Sequence, residues 1–555
     1  MNNRASLQLG GGNWAAKDAN LLAYETDLSE KNFLPIELGF ERGSNLAATR
    51  VNSSGLIEKG RENLLLQSNQ FDTTWVQANT TKTSGQSGYD GTNDAWELVR
   101  SSGGSLVLNQ SLTLSGVYTF SCYVKINASN GFGIGFSSSN YALFNISDAL
   151  QTSAVSQFGI ISSSITYVGN NFYRISVTDN GSFNEVRFIN ALADGTSATS
   201  NGGTFIVQDA QLEQGLVATD YIETGASTAQ AGLLEDEPRI NYSGSTPSLL
   251  LEPSRTNLAF SSETFGGSGV GSVYMNSKID VTYTPNYGIS PEGVKNSTRV
   301  QFNDSTAFSY RAVSLSEDNT GSLYVKGTAG EDIRFGFGTN VATDGTIHTF
   351  DGTWQRVTHT SSTGTQFYLS NYTGTGNQAS DFEIYGLQHE IGSYATSYIP
   401  TYGATATRSD DYYSNTSLSN IGSTDRCTFY CEIDLPQGRE GSPYFLRLDS
   451  PASSFGWKGN YVPSPIISVI GTGNITTSDT ITVSTGVHKL IIRWENGVGS
   501  IFIDGAKKTE QVTSSATEVF DEFRSQGTGY RHLQKSVLVF PETLSDAECI
   551  TLTTL

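Results

Sequence analysis

The chain carries nearly the same passage twice, and this duplication limits its possible folds more than any other feature. "QLEQGLVATDYIET" begins at residue 211 and "QHEIGSYATSYIPT" begins at residue 388, with eight residues identical in register. Two further pairs match in the same order: "RENLLLQSNQF" (61–71) with "RTNLAFSSETF" (255–265), and "TFSCYVK" (119–125) with "TGSLYVK" (320–326). Because the spacing differs from pair to pair, the repeat indicates a duplicated module whose loops differ in length.

The repeat also divides the chain into predicted units. It places module one at about 61–227 and module two at about 254–408. The period is too long for a solenoid repeat, so we expect each copy to have its own core. Residues 409–555 are predicted as a third unit, which we call the C-terminal unit. Residues 1–60 are predicted as an N-terminal arm that docks on another protein, and 228–253 as an extended linker containing three prolines.

Composition favours β-structure over helices. The 555 residues include 58 Gly, 26 Tyr and 28 Phe, and only 16% are charged, so long Ala-, Glu- and Lys-rich helices are not expected. Tyr118, Phe120, Cys122 and Val124 alternate with polar or smaller residues, which is typical of a strand with one buried face. The predicted fold class is therefore all-β: tandem antiparallel β-sandwiches, with a jelly roll as a candidate topology and an extended N-terminal arm.

Two local signals stand out in the C-terminal unit. In "HKLIIRWENGVGSIFIDG" (488–505), apolar residues alternate on both sides of Asn496 and Gly497, which predicts a β-hairpin with a tight turn. Near the end, Ser545 and Glu548 stand at capping-box spacing, which predicts a short helix.

Charge and cysteine content exclude several classes of function. The formal net charge of −21 lacks the basic surplus that nucleic-acid binding needs, so we expect no such partner. The same charge repels anionic cell surfaces, so recognition there needs local contacts or bridging cations. No stretch is apolar enough to span a bilayer and the first residues show no signal-peptide pattern, so we expect no membrane insertion. The four cysteines fit neither a zinc nor a disulfide pattern and are predicted to be buried thiols.

Glu213 and Glu390 are the carboxylates that recur in the repeat. A glycosidase needs two acids on either side of one bond, whereas each module supplies one such acid. The favoured interpretation is therefore a hydrogen-bond acceptor or a cation ligand, and a structural Ca²⁺ is a candidate cofactor. The five histidines are dispersed and match no catalytic motif, so we expect no catalytic residues.

Aromatic side chains in turn-rich segments are the candidates for glycan binding. Sugar rings pack on flat side chains while their hydroxyls take hydrogen bonds from polar neighbours. Trp457 and Tyr461 lie in "FGWKGNYVPSP", and Tyr530, Arg531 and His532 lie in "GTGYRHL". The alternative for Trp457 and Tyr530 is that their rings close a sandwich core, the commoner fate of aromatic residues.

Several longer passages carry a family resemblance. They are "GGNWAAKDANLLAY" (11–24), "ATRVNSSGLIE" (48–58), "EDEPRINYSGSTPSLLLEPSRTNL" (235–258), the two module endings, and "GVHKLIIRWENGVGSIFIDG" (486–505) with "LSDAECITL" (544–552). With these the chain resembles structural proteins of tailed bacteriophages that join carbohydrate-binding-module-like and concanavalin-like (laminin-G-like) sandwiches. Module one departs from the pattern at Gln230, where it lacks the "ATR" ending of module two.

The resemblance implies a virion fibre or appendage that is assembled in the host cytoplasm, with a trimer as the favoured homo-oligomer. It implies contacts from residues 1–60 to other virion proteins and a concanavalin-like C-terminal unit. Together with the composition, it predicts a non-enzymatic protein that adheres to glycans of a bacterial surface.

Two alternatives to adhesion stay open. One is a purely structural head-decoration, collar or tail component that binds other virion proteins. The other is a glycan-degrading enzyme, which would need a cleft with paired acids. Our interpretation expects modules arranged in series, with no pocket where acids of both modules converge.

Overall fold

A computed structural model gives the architecture of most of the chain. It describes residues 15–17, 20–23, 36–42, 46–101, 107–126, 131–145, 156–191, 204–235, 237–242, 247–266, 273–416, 426–435, 444–451, 453–460, 466–472, 480–512, 520–527, 531–540 and 543–555. In this part of the chain nearly every regular element is a β-strand.

The strands up to the end of module one are β1 (Ala15–Lys17), β2 (Asn20–Ala23), β3 (Ile36–Glu41), β4 (Thr49–Val51), β5 (Ile57–Lys59), β6 (Arg61–Asn63), β7 (Val76–Ala78), β8 (Thr80–Gln86), β9 (Ala95–Arg100), β10 (Val107–Ile126), β11 (Gly131–Gly135), β12 (Tyr141–Asn145), β13 (Ser156–Phe158), β14 (Ser162–Gly169), β15 (Phe172–Ala191) and β16 (Thr204–Gln214). The linker contributes β17 (Ala229–Ala231), β18 (Ile240–Asn241) and β19 (Ser248–Leu251).

Module two contains β20 (Arg255–Asn257), β21 (Ser277–Ile279), β22 (Val281–Thr284), β23 (Thr298–Phe302), β24 (Phe308–Ala312), β25 (Asn319–Lys326), β26 (Asp332–Gly338), β27 (Thr346–Thr349), β28 (Gln355–Ser361), β29 (Gln366–Ser370), β30 (Asp381–Ile391) and β31 (Ala406–Arg408). The C-terminal unit contains β32 (Tyr412–Asn415), β33 (Arg426–Leu435), β34 (Tyr444–Asp449), β35 (Ser454–Asn460), β36 (Ile466–Thr472), β37 (Thr480–Thr482), β38 (Gly486–Glu495), β39 (Val498–Ile503), β40 (Ala506–Val512), β41 (Glu522–Gln526), β42 (His532–Phe540) and α1 (Asp546–Thr553).

The predicted all-β, antiparallel fold class is confirmed. The clearest sandwich is module two, whose sheets have the orders β21-β24-β29-β26-β27 and β22-β23-β30-β25-β28. Their facing side chains, among them Phe335, Phe367 and Ile384, are fully buried in one core. Among the described residues, no helix combines the length and apolar character needed to cross a membrane.

Module one has the same layers, but two long strands join them into one sheet. β10 and β15 pair along most of their length, with an irregularity between Ser111 and Leu114. In module two the corresponding strands are each interrupted, so that β24 and β25 replace β10, and β28 and β29 replace β15. The register supports this assignment, because Thr119 lies opposite Thr178 in module one as Thr320 lies opposite Thr360 in module two.

The C-terminal sandwich takes strands from both segments that were predicted to lie outside it. β3 of the predicted arm pairs with β32, which places Phe40 opposite Tyr413. β19 of the predicted linker pairs with β42, which places Leu250 opposite Leu533. The physical reason is burial, because Phe40 and the neighbours of Leu250 on β19 are buried in the same core as Tyr413.

The local predictions for the C-terminal unit are confirmed. β38 and β39 form the hairpin, and Asn496 and Gly497 at its turn have φ values of 50° and 81°. α1 begins with a capping box in which Ser545 and Glu548 bond each other's backbone N–H groups. All four cysteines lie within the described residues and are buried as thiols, which also matches the prediction.

A buried ionic network ties the linker to module two and the C-terminal unit. Arg239 donates from Nε to Asp411 (3.0 Å) and from Nη2 to Glu252 (3.0 Å). Arg408 of β31 adds a second contact to Glu252, again at 3.0 Å. Burial alone would raise the pKa of Glu252, but Arg408 and Arg239 outweigh it and hold that pKa well below its usual value. The linker is therefore a fixed part of the structure.

Candidate functional site

The two repeated carboxylates are structural hydrogen-bond acceptors. Glu213 accepts from the N–H (2.8 Å) and the hydroxyl (2.6 Å) of Thr219. Glu390 accepts from the same two groups of Thr396 at 2.5 and 2.8 Å, and in both modules a glutamine amide donates to the carboxylate as well. A Ca²⁺ site needs six to eight oxygen ligands, so carboxylates surrounded by donors do not fit one. Within the described ranges, no group of three Asp, Glu, His or Cys is arranged to hold a metal ion.

Trp457 is a core residue, so the prediction that it binds a sugar at the surface is corrected. Its side chain is 0% exposed, in the same cluster as Phe455 and Trp494. The physical reason is its place on β35, an inner strand of the nine-stranded C-terminal sheet as far as that sheet is described. Core packing, the alternative considered from the sequence, is what the structure shows.

The other four predicted residues do not form a described groove. Tyr461 and Tyr530 lie outside the described residues, so their role in glycan binding stays a prediction. His532 is fully buried against the ring of Phe445 and cannot reach a surface ligand. Arg531 is half-buried, and its backbone N–H donates to the hydroxyl of Tyr394 in module two (3.0 Å). His532 and Arg531 therefore help to join the C-terminal unit to its neighbours.

Acids from the two modules approach each other at their junction through shared cations, although the acids that line the junction cavity, Glu62 and Glu213, both belong to module one. Arg61 lies between Glu213 of module one (3.7 Å) and Glu292 of module two (2.7 Å). Lys59 contacts both Glu292 and Glu263 at 3.0 Å. Burial would raise the pKa of Glu292, yet Lys59 and Arg61 lower it below the ordinary value. These carboxylates have cationic partners and form a buried ionic junction.

A small cavity adjoins this junction, and a larger groove lies on module two. The cavity has a volume of about 210 Å³ and is lined by Leu64, Leu114, Tyr118, Gln214 and Tyr402, together with charged residues of the junction. The groove has a volume of about 370 Å³ and is lined by Leu258, Phe260, Tyr274, Arg311, residues 312–317, Asn319, His389 and Ile391. A volume near 370 Å³ falls within the ~300–1,000 Å³ of typical small-ligand sites.

The cavity and the groove are the same site in the two copies of the module. The repeat aligns their lining residues: Leu64 with Leu258, Leu114 with Leu315, Tyr118 with Asn319, and Gln214 with Ile391. In module one the site is covered by module two, because the Tyr402 carbonyl accepts from the N–H of Val117 (3.2 Å). In module two the site is open, and Ile391 is 47% exposed.

A glycine in module one is needed for module two to cover the site. A Cβ on Gly116, whose φ is +124°, would lie 2.3 Å from the Tyr402 carbonyl oxygen. No side chain fits at that distance, so glycine permits the close approach of module two. Module two has the exposed Glu317 at the corresponding position. The covered site therefore needs a glycine that the open site does not.

The floor of the groove is a chain of polar side chains. The Tyr274 hydroxyl and His389 Nδ1 are 2.5 Å apart, and His389 Nε2 lies 2.8 Å from Asn319 Oδ1. Burial lowers the pKa of His389 to about 4, so its ring is neutral at pH 7. Because module one has Leu212 at the position of His389, this polar floor belongs to module two alone.

The wall of the groove carries a guanidinium that lies against two aromatic rings. Arg311 Cζ lies 5.5 Å from the centre of the Tyr274 ring and 5.8 Å from that of Phe260. Within the described part of the chain, no side chain or carbonyl takes a hydrogen bond or an ion pair from this guanidinium. Its N–H donors are thus available to a ligand.

Module one has a glutamine in place of this arginine. Gln110 accepts from the N–H of Leu66 and donates to its carbonyl, both at 2.8 Å. Leu66 is the counterpart of Phe260, and Gln110 is the counterpart of Arg311. In module one these two positions are joined by hydrogen bonds, whereas in module two they are joined only by a cation–π contact.

Sequence reasoning missed the groove, although the repeat contained a signal for it. It sought aromatic residues in the C-terminal unit, where glycine- and proline-rich turns are visible. The signal lies in aligned positions where the two copies differ in the chemical type of the side chain, namely Arg311, Asn319 and His389 with Phe260. In module one their counterparts are Gln110, Tyr118, Leu212 and Leu66.

Comparison with known proteins gives no assignment of family. No protein-family model and no curated protein matches the chain. Among solved structures, the chain is similar to Trypanosoma rangeli sialidase in complex with sialic acid, with 10% identity, coverage of 97% of this chain and 82% of that chain, and a TM-score of 0.20. A mutant of that sialidase displaying trans-sialidase activity is also 10% identical, with coverage of 99% and 96% and a TM-score of 0.20. At so low a TM-score, the likeness carries no argument about fold or activity.

Proposed function

We propose that the chain is a non-enzymatic component of a phage virion, in a fibre or appendage, that adheres to glycans on a bacterial surface. The observation that carries this proposal is the open groove of module two. It combines two aromatic rings, Phe260 and Tyr274 in edge-to-face contact, with hydrogen-bonding groups at Asn319 and Arg311, the kinds of side chain that a sugar ring requires. The virion context comes from the sequence resemblance.

The differences between the modules favour a small polar ligand over a protein segment. The copy that binds protein, module one, has apolar or self-satisfied side chains at Leu66, Gln110 and Leu212. The open copy has an aromatic, a cationic and an imidazole side chain at the same places. In the proposal, module one holds the structure together while module two binds the glycan, and residues 1–60 contact other virion proteins.

The absence of an enzymatic role is also part of this proposal. Glu292, the acid of module two at the junction, is paired with Arg61 (2.7 Å) and Lys59 (3.0 Å), which lower its pKa. A general acid must be able to release its proton to a substrate, whereas a carboxylate held ionised beside arginine does not carry one.

A glycan array with the full chain tests the proposal, using Phe260→Ala as the groove variant. Tyr372→Ala is the matched control, because Tyr372 is an exposed aromatic residue of the same module that does not line the groove. We expect binding that falls at least about tenfold, or about 1.4 kcal/mol, in Phe260→Ala and is unchanged in Tyr372→Ala. Silence across the array would favour the purely structural alternative, and sugar released from the glycans would favour an enzyme.

A further inference from the structure

Arg311 defines which class of glycan the groove would take. The guanidinium lies against the rings of Tyr274 and Phe260, and these cation–π contacts favour its place in the groove before a ligand arrives. A planar guanidinium with free N–H donors matches a carboxylate, which it can bind through two parallel hydrogen bonds.

Three other arginines of module two are bound differently. Arg299 pairs with Asp381, and Arg334 donates to three backbone carbonyls. Arg356 donates to the carbonyl of Thr396 (2.7 Å). Each of these side chains holds its own module together, whereas Arg311 has only aromatic contacts among the described residues.

The rest of the groove limits where an acidic group could sit. Glu317 is its only carboxylate in the described lining, and the buried His389 contributes no positive charge at neutral pH. An acidic sugar would therefore turn its carboxylate to Arg311 and away from Glu317. Its ring would then face Phe260, and its hydroxyls would reach Asn319.

We infer that the module-two groove selects saccharides that carry a carboxylate, such as hexuronic acids, with Arg311 as the residue that determines specificity. This inference rests on the proposed adhesion function. It also answers the problem raised by the net charge of −21, since an acidic protein needs a local cation to hold an acidic glycan. At physiological ionic strength charges beyond about 8 Å are largely screened, so Arg311, the one arginine or lysine of the described lining, is the cation that an acidic group in the groove would meet.

The test is calorimetric titration of the full chain with matched pairs of oligosaccharides. Each pair contains a hexuronate oligomer (galacturonate, glucuronate or mannuronate) and its carboxyl-reduced neutral form. We expect at least one acidic oligomer to bind about tenfold or more tightly than its neutral form. Arg311→Gln, which installs the module-one residue, should abolish this preference, and Arg311→Lys should retain part of it. Arg299→Gln is the control, because it removes an arginine of the same module outside the groove.

The outcomes separate this inference from the function on which it rests. If neutral glycans bind as well as acidic ones, or if the preference survives Arg311→Gln, the carboxylate inference is wrong while adhesion stands. If no glycan binds at all, both fail. Sedimentation of the same variants identifies a third outcome: self-association that is lost in Arg311→Gln would assign the groove to a second copy of the chain and overturn the inference.

Discussion

Gln110 and Arg311 occupy equivalent positions in two copies of one module, yet only Gln110 hydrogen-bonds the loop that both side chains face. The loop contains Leu66 in module one, where it is bonded to Gln110, and Phe260 in module two, where a groove lies beside it. The difference shows how a duplicated domain can divide two tasks. One copy has its equivalent site covered by its neighbour, which fixes the arrangement of the modules, and the other presents the site to solvent.

The repeat predicts equal energetic roles for Asn63 and Asn257. Each amide donates to two backbone carbonyls and each amide oxygen accepts from two backbone N–H groups. Removing either side chain leaves several buried polar groups unpaired, so we expect Asn63→Ala and Asn257→Ala each to lower the free energy of unfolding by about 2–4 kcal/mol. Urea denaturation measures this, with the exposed Asn303→Ala as control. A large loss in one module and none in the other would contradict a shared scaffold.

The junction between the modules depends on Lys59. Its Nζ lies 3.0 Å from both Glu263 and Glu292 and 2.6 Å from the Tyr402 hydroxyl, all of them buried. Lys59→Met would leave two buried carboxylates short of a cation, so we expect a loss of about 3–5 kcal/mol in the free energy of unfolding. Lys295→Met, at an exposed lysine, is the control. Equal stability of the two variants would mean that the junction does not hold the modules together.

His389 should give stability a specific dependence on pH. Burial lowers its pKa from 6.5 to about 4, so between these values the unfolded chain binds a proton that the folded chain does not. Stability contributed by the neutral ring is therefore present above pH 6.5 and is lost as pH falls, by about 3 kcal/mol on reaching pH 4.

The matched variant for this prediction is His389→Leu, the residue found at this place in module one. Unfolding measured from pH 7.5 to 4 should fall less steeply in the variant than in the wild type. Parallel curves would show that His389 titrates alike in the folded and unfolded chain. Because Asp and Glu carboxylates also titrate in this range, only the difference between the two curves reports on His389.

Trp457→Ala should act on stability before it acts on binding. The indole is fully buried, so its loss leaves a cavity and should destabilise the C-terminal sandwich by about 3–5 kcal/mol. Phe158→Ala removes a partly exposed aromatic ring and serves as the control, with an expected loss below about 2 kcal/mol. Fluorescence of the remaining tryptophans during denaturation can follow the transition. A stable Trp457→Ala protein that fails to bind glycans would restore its predicted surface role.

The sequence predicted local features well because they depend on a few neighbouring residues. The capping box at Ser545 and the turn at Asn496 each follow from short-range chemistry. The duplication was equally visible in the sequence, where Asn63 recurs as Asn257. The structure shows that the two residues make equivalent hydrogen bonds. Strand alternation predicted one buried face around Phe120, whereas Thr119 and Ser121 on the opposite face are buried too.

Long-range partners explain what could not be predicted. Thr119 is buried because the chain returns over that face of β10, where the Gly215 carbonyl accepts from its hydroxyl (2.8 Å). Likewise, nothing within β3 or β19 indicates that they pair with strands of the C-terminal unit far along the chain. The groove could not be predicted for the same reason. Only the fold shows that Tyr402 covers the site of module one, while the equivalent site of module two is open.

The most direct test of the account is a crystal structure of the full chain with the oligosaccharide that binds most tightly. We predict a sugar ring within about 4 Å of Phe260, with polar contacts to Arg311 and Asn319. A saccharide bound elsewhere on the chain, with the module-two groove empty, would contradict the account.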